Sequence, residues 1–367
     1  MPRKLHWDRL LMVVTLILVG LGIVMVYSSS AIRAQERLGD STFFLKRQLI
    51  WAVLGFMAMF WIMGRDYRTL RRYAPLLYLL SLFLLLLVLV PSVGVKINGA
   101  RRWLRIFSLS FQPSELAKFS MVIFLAHFFS KREDKVERGI EGVLSPLFLS
   151  AIPFSLIALE PHLGAAIIVA LLALLMGFVA GTRLSHLTLT GISLLPVVFI
   201  VSAGLPHVKT RVWALLDPSQ VPAHARYQLN QSIYALGPGG LLGRGLGDSI
   251  QKLFYLPEPH TDFIFAIIGE EVGFLGTSMV IILFGVFLWR GVRTSLKAPD
   301  LFGTYLAMGL TGLIVVQAAI NVGMVVGLLP TTGLPLPFVS FGGSSLIVNL
   351  ISVGVLLNIS QYSSRRK

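Results

Sequence analysis

The sequence predicts an all-α integral membrane protein with ten transmembrane helices and one large loop on the outer face. Three observations predict it. Of the 367 residues, 55% are apolar and only 13% are charged, about half the ~25% charge content of a soluble domain. The mean hydropathy is +0.78. Apolar runs approaching the ~20 residues that span a bilayer recur along most of the chain. Together these values exclude an ordinary soluble enzyme. The absence of cysteine excludes disulfides, haem thioether attachment and thiolate metal sites.

The runs fall at 9–30, 44–63, 73–91, 114–130, 143–160, 163–180, 186–204, 263–289, 302–328 and 340–361. The first is too long and too apolar for a cleaved signal peptide, and no small-residue cleavage site follows Tyr27-Ser28-Ser29-Ser30. It is read as the first helix of a single polytopic domain covering 1–367. An even number of spans puts both termini on one side. Cytoplasmic termini place 18 basic residues inside and 13 outside, with Lys118 within a span, so the excess of positive charge inside favours that orientation.

The formal charge of +15 does not point to nucleic acid, because no basic cluster sits in a soluble domain beside an aromatic stacking platform. The outer cations need another reason. Lys96, Arg101, Arg102 and Arg105 lie in the loop 92–112, and Lys209, Arg211, Arg226, Arg244 and Lys252 in the stretch 205–263. Contact with anionic lipid headgroups accounts for any one of them. Nine together suggest an anionic ligand, with phosphate the group best served by arginine and lysine.

The stretch 205–263 is too long for a plain tether and too small for a comfortable core of its own. It reads as an ordered outer loop packed on the helices, with a short amphipathic helix near Ala223 to Ala235 and turns from Gly237 to Gly247. That glycine series follows no strand and lacks a Gly-Lys-Ser/Thr ending, so it is not a nucleotide fingerprint. The loop ends in Glu258-Pro259-His260-Thr261-Asp262, just before the eighth span. Position alone favours Asp262 as a helix cap, which would keep it ionised and weakly basic. Beside a bound sugar, the same carboxylate could accept a hydroxyl proton. His260 is a competing base or a neighbour that orients it.

Glu115 and Lys118, three residues apart at the start of the fourth span, share one helix face. They either neutralise each other or face a water-filled cavity. Glu270 and Glu271 cannot pair with each other, so one should meet an inward cation or a loop. His127 and His186, near the cytoplasmic ends, read as interfacial. The segment 329–340 holds three prolines yet is apolar, which fits a re-entrant turn buried against protein. Gln317, Asn321 and Asn349 supply polar contacts near it.

Gly99-Ala100-Arg101-Arg102-Trp103, Gln112-Pro113-Ser114-Glu115-Leu116-Ala117-Lys118, Tyr255 to Glu271 and Asn321 to Ser345 resemble the signature blocks of the SEDS family of integral membrane peptidoglycan glycosyltransferases. The likeness runs from Met25 to Asn358, nearly the whole chain. Gly245 to Ser249 and Gln251 to Glu258 are more similar to the FtsW/SpoVE branch than to RodA. The resemblance implies the ten-helix SEDS fold, with a catalytic aspartate in the large outer loop between helices 7 and 8, at Asp262 here. It also implies a class B penicillin-binding protein as partner, a place in the division or elongation machinery, and the bacterial cytoplasmic membrane as location. One departure stands out. The family commonly reads Pro-Asp-Leu-Gly where this chain has Pro161-His162-Leu163-Gly164, so an imidazole replaces an acid.

The implied chemistry is polymerisation of lipid II into a β-1,4 glycan strand with release of polyprenyl pyrophosphate. Asp262 would take the proton of the acceptor hydroxyl, and cations would hold the pyrophosphate. The candidate substrate-binding set is Arg101, Arg102, Glu115, Lys118, Arg211, Lys252, Glu258 and His260. No Asp-X-Asp pair occurs among the eight aspartates, so no cofactor is required by the sequence; a divalent Mg or Mn ion remains compatible. Two other classes fit the composition: a lipid II flippase or transporter, and a non-catalytic scaffold that activates a penicillin-binding protein.

Overall fold

The computed structural model describes residues 7–97, 100–106, 109–131, 141–192, 206–217 and 221–362. The described chain is helical wherever it is long and apolar. In order it forms α1 (Arg9–Leu38), α2 (Phe43–Met63), α3 (Arg68–Leu89), α4 (Pro113–Lys131), α5 (Glu141–Leu159), α6 (Leu163–Val179), α7 (Pro206–Leu216), α8 (Ala223–Leu236), α9 (Ile264–Leu296), α10 (Leu301–Val325) and α11 (Gly343–Gln361). Six of these, α1, α2, α3, α9, α10 and α11, are long and apolar enough to cross a membrane. The shorter segments Pro146–Leu159 and Leu163–Val179 are apolar as well. The expected span 186–204 lies mostly outside the described residues; helix is described from residue 184 to 192.

The packing identifies the solvent each face meets. Val53, Met57, Trp61, Leu76, Leu79 and Phe83 on α2 and α3 are exposed. Continuous apolar patches of that size are unstable in water and suited to lipid, so the chain is a multi-pass membrane protein. At the centre α11 is buried along almost its whole length. It packs most extensively on α2, while α10 packs on α4 and α9.

Residues 92–112 are more ordered than a plain loop. Strands β1 (Gly94–Ile97), β2 (Ala100–Ile106) and β3 (Leu109–Phe111) form an antiparallel meander, with Ile97 opposite Ala100 and Ile106 opposite Leu109. Side chains alternate between the faces of a strand. The alternation is interrupted at Arg102, the unpaired extra residue of a bulge between the Val95–Trp103 and Lys96–Arg101 pairs, a feature that re-aims a side chain.

Helix α9 is broken at Gly273, whose φ of 72° and ψ of −163° lie outside helical space. A side chain there would collide with Gly243 N at 2.3 Å, so glycine admits the loop. Backbone groups freed by the break are taken up by it: Phe274 N donates to Gly240 O at 2.9 Å, and Arg244 N to Glu270 O at 3.0 Å. Irregular backbone within an apolar region is tolerated only when so paired. The glycine series makes tight turns, with positive φ at Gly240, Gly243, Gly245 and Gly247, and those turns dock on the kink.

Candidate active site

A cavity of about 820 Å³ opens among the meander, the loop before α9 and the segment between α10 and α11. Asp262 lies on its wall with Arg102, Arg211, Glu258, His162 and Gln112. The sequence placed Asp262 at a helix N-terminus, where capping would occupy its carboxylate. The capping role is overturned: the N-cap of α9 is Phe263, with no side-chain cap bond. Among the described residues no group hydrogen-bonds to the Asp262 carboxylate. Its main chain is held instead, with Asn321 Nδ2 donating to Asp262 O at 2.8 Å.

Each cation of the site is anchored by carbonyl oxygens. Arg102 donates to Glu160 O at 3.1 Å and to Pro161 O, and Arg211 to Thr331 O at 3.2 Å. Carbonyls orient a guanidinium without cancelling its charge, so both arginines keep a full positive charge for an anion. Burial lowers the pKa of Arg102 to about 10, and the Arg211 charge adds to that; Arg211 is lowered by burial too. Asp262 moves the other way. Burial, then the neighbouring Glu258, raises its pKa to about 6, against the pull of Arg211 and Arg102. A carboxylate near 6 is a better base than an ordinary one and is still ionised at neutral pH.

His162, in place of the usual acid, is 2% exposed and lines the cavity. Burial, with Arg102 and Lys118 nearby, holds it well below the ordinary imidazole range and therefore neutral. Its Nδ1 faces Gln112 Nε2 at 3.3 Å.

The other expected ligand-binding residues are not on the wall. Lys252 is bound to Glu271 at 2.7 Å and lies 3.3 Å from Ser28 Oγ, so its charge is already neutralised. Glu115 and Lys118 form a buried pair at 2.9 Å, and Lys118 also donates to Gln317 Oε1 at 2.6 Å. His260 is wedged against Phe44, ring centroids 4.4 Å apart. Burial, together with the Arg33 charge, lowers its pKa to about 4. It stands 4.0 Å from Glu258 and is no rival to Asp262 as base. Arg101, paired with Lys96 in the meander, does not line the cavity. Among the described residues, no group of three or more His, Asp or Glu side chains is arranged to hold a metal ion.

Arg47 and Trp51 of α2 also line the cavity and were not singled out from the sequence. Arg47 sits in the first turns of α2, over the Phe43 ring at 4.4 Å. A cation at that place in an apolar run was the signal that could have found it.

Comparison with known proteins agrees with this architecture. Stage V sporulation protein E of Bacillus subtilis is 45% identical over 98% of this chain and 99% of its own length. A probable peptidoglycan glycosyltransferase FtsW of Geobacter sulfurreducens is 42% identical over 97% of this chain and 95% of its own. Among solved structures, one of a peptidoglycan synthase complex that coordinates polymerization and crosslinking contains a chain 33% identical to this one. That match covers 97% of this chain and 98% of the other with a TM-score of 0.80. The rod shape determining protein RodA of Thermus thermophilus is 29% identical, covering 98% and 99%, with a TM-score of 0.72. The model of the FtsW/RodA/SpoVE cell cycle proteins matches residues 8–365, and the chain therefore belongs to that family.

Proposed function

We propose that the chain is a peptidoglycan glycosyltransferase that polymerises lipid II on the outer face of the bacterial cytoplasmic membrane. In this reading ten spans cross the bilayer with both termini in the cytoplasm. The loop 205–263 lies outside, and 329–340 re-enters at membrane depth. One observation carries the reading: an ionisable carboxylate, Asp262, is left unspent on a cavity wall that also presents two carbonyl-anchored guanidiniums.

Outside the cytoplasm no nucleotide-sugar pool exists, so the donor must arrive activated and tethered to lipid. Asp262 removes the proton from the C4 hydroxyl of the acceptor GlcNAc while that oxygen attacks the anomeric carbon of the donor MurNAc. The bond to the diphosphate oxygen breaks, polyprenyl diphosphate leaves, and the α linkage becomes β-1,4. Arg102 and Arg211 sit where negative charge grows on the leaving group, which is where fixed charges lower a barrier most. The step draws on no resident cofactor, and EDTA added to the assay reads whether a divalent ion attends the diphosphate.

A transpeptidase of the class B penicillin-binding type is the proposed partner. The synthase complex among the structural relatives couples polymerization to crosslinking, and the sporulation and FtsW names of the sequence relatives favour a division or sporulation role. Purified chain in vesicles containing lipid II, with no partner added, tests the activity. Glycan strands should form with release of polyprenyl diphosphate. Movement of lipid II between leaflets without chain growth would identify a transporter. Strands only when a partner synthase is present, indifferent to Asp262, would identify a scaffold.

A further inference from the structure

Asn321 and Gln317 stand one turn apart on the buried face of α10, between the catalytic loop and the segment 330–341. Gln317 Nε2 donates to Pro335 O at 2.9 Å. Its Oε1 accepts from Lys118 at 2.6 Å. An ammonium only donates, so this contact fixes which end of the Gln317 amide faces Pro335. Asn321 Nδ2 donates twice, to Leu334 O at 2.7 Å and to Asp262 O at 2.8 Å. Two carbonyls face the same nitrogen, so the orientation of this amide is fixed as well. Its Oδ1 is left buried without a hydrogen bond, an unfavourable arrangement that a residue kept only for packing would avoid.

The same irregular segment grips the loop elsewhere. Ser340 Oγ donates to Thr261 O at 2.5 Å while accepting from Leu336 N at 2.8 Å, and Phe341 N donates to His260 O at 2.9 Å. Three consecutive carbonyls before α9, those of residues 260, 261 and 262, are thus held from one side. Asn321 is the only side chain among the described residues that bonds to Asp262. A carboxylate one residue before an N-cap would otherwise be drawn to the N–H groups of the first helical turn.

We infer that Asn321 is a positioning residue for the reaction, clamping the main chain of Asp262 to the 330–341 segment so that the carboxylate stays on the cavity wall. Gln317, oriented by the buried Lys118–Glu115 pair, holds the neighbouring carbonyl of that segment. This gives the ion pair a task that requires no contact with substrate. The inference rests on Asp262 being the base.

The test compares parent, Asp262→Asn, Asn321→Leu and Ser340→Ala, each purified in lipid nanodiscs and normalised to folded protein, in lipid II polymerisation. Leucine keeps the branched shape of the Asn321 side chain, though it is bulkier, and removes both donated bonds. Asn321→Leu is expected to lower kcat by about 10- to 100-fold through misplacement of the base, with KM for lipid II within about twofold. Ser340→Ala removes the bond to Thr261 O and the one accepted from Leu336 N, a smaller change than Asn321→Leu, and is expected to lower kcat by about threefold to tenfold at unchanged KM. If Asn321→Leu fails to fold, this second variant decides. Parental kcat in both variants, or a raised KM at parental kcat, overturns the positioning role. Parental turnover by Asp262→Asn would instead overturn the reading beneath it, so the two failures are told apart.

Discussion

Asp262 and Glu271 stand nine residues apart at the opening of α9, and the fold treats these two carboxylates in opposite ways. Glu271 accepts from Lys252 at 2.7 Å and from Ser28 at 2.6 Å. Its neighbour Glu270 accepts from Ser249 and from the backbone of Ile250 and Gln251. Both are fully committed to fastening the loop across the kink at Gly273. Asp262 has two arginines close enough to shift its pKa but bonds to neither. A buried charge with all its partners holds structure; a charge left without them, on a cavity wall, is available for chemistry. The two sites thus separate what fastens the loop before α9 from what that loop is fastened for.

The largest effect that would sharpen this contrast comes from Asp262→Asn. It removes basicity at nearly constant shape and should lower glycan synthesis by about 10²- to 10⁴-fold, with a melting temperature close to that of the parent. Arg102→Gln takes away one of the cations set where the diphosphate leaves. A loss of about 10²-fold in kcat is expected from a fixed-donor deletion of this kind, measured by single-turnover release of polyprenyl diphosphate.

The pH profile comes next. The proposed base must be ionised, and its pKa is raised to about 6. Rate should be flat above about pH 7 and fall roughly tenfold per unit below about 6, because protonation removes the acceptor lone pair. Lys252→Met, on the other side of the comparison, strands Glu271 as an unpaired buried charge. It should cost about 3–5 kcal/mol of stability, read by thermal melting, with little change in turnover per folded molecule. The smallest effect is expected at the exposed Lys46–Asp40 pair at the start of α2. Lys46→Gln should leave both rate and melting temperature unchanged, since solvent and salt screen such contacts.

Much of the frame could be read from the residues. The runs at 44–63, 163–180 and 302–328 sit on α2, α6 and α10 to within about three residues, because an apolar stretch between charged ends leaves little freedom in where a membrane helix begins. The helix at Ala223 and the turns after Gly237 were legible for equally local reasons. The capping of α9 was not. Whether the first helical residue is 263 or 264 decides if Asp262 caps or stays free, and helix boundaries cannot be read that finely from sequence.

Nor could sequence say which loop cation was already taken. Lys252 and Arg211 look alike as residues, and only the fold sets one against Glu271 and the other against Thr331 O. The meander was missed although Asn98-Gly99, between Ile97 and Ala100 in the sequence, is a strong hairpin signal. The positive charges on either side of it drew the reading toward ligand binding. Arg102 owes its place to that strand, where it is the extra residue of a bulge and lines the cavity while Arg101 does not.

The most direct test of the central claim is the initial rate of glycan formation from purified lipid II by Asp262→Asn beside the parent, at equal amounts of folded protein. A loss of at least about 10²-fold with the fold intact is expected. An Asp262→Asn protein that lengthens strands as fast as the parent would contradict it.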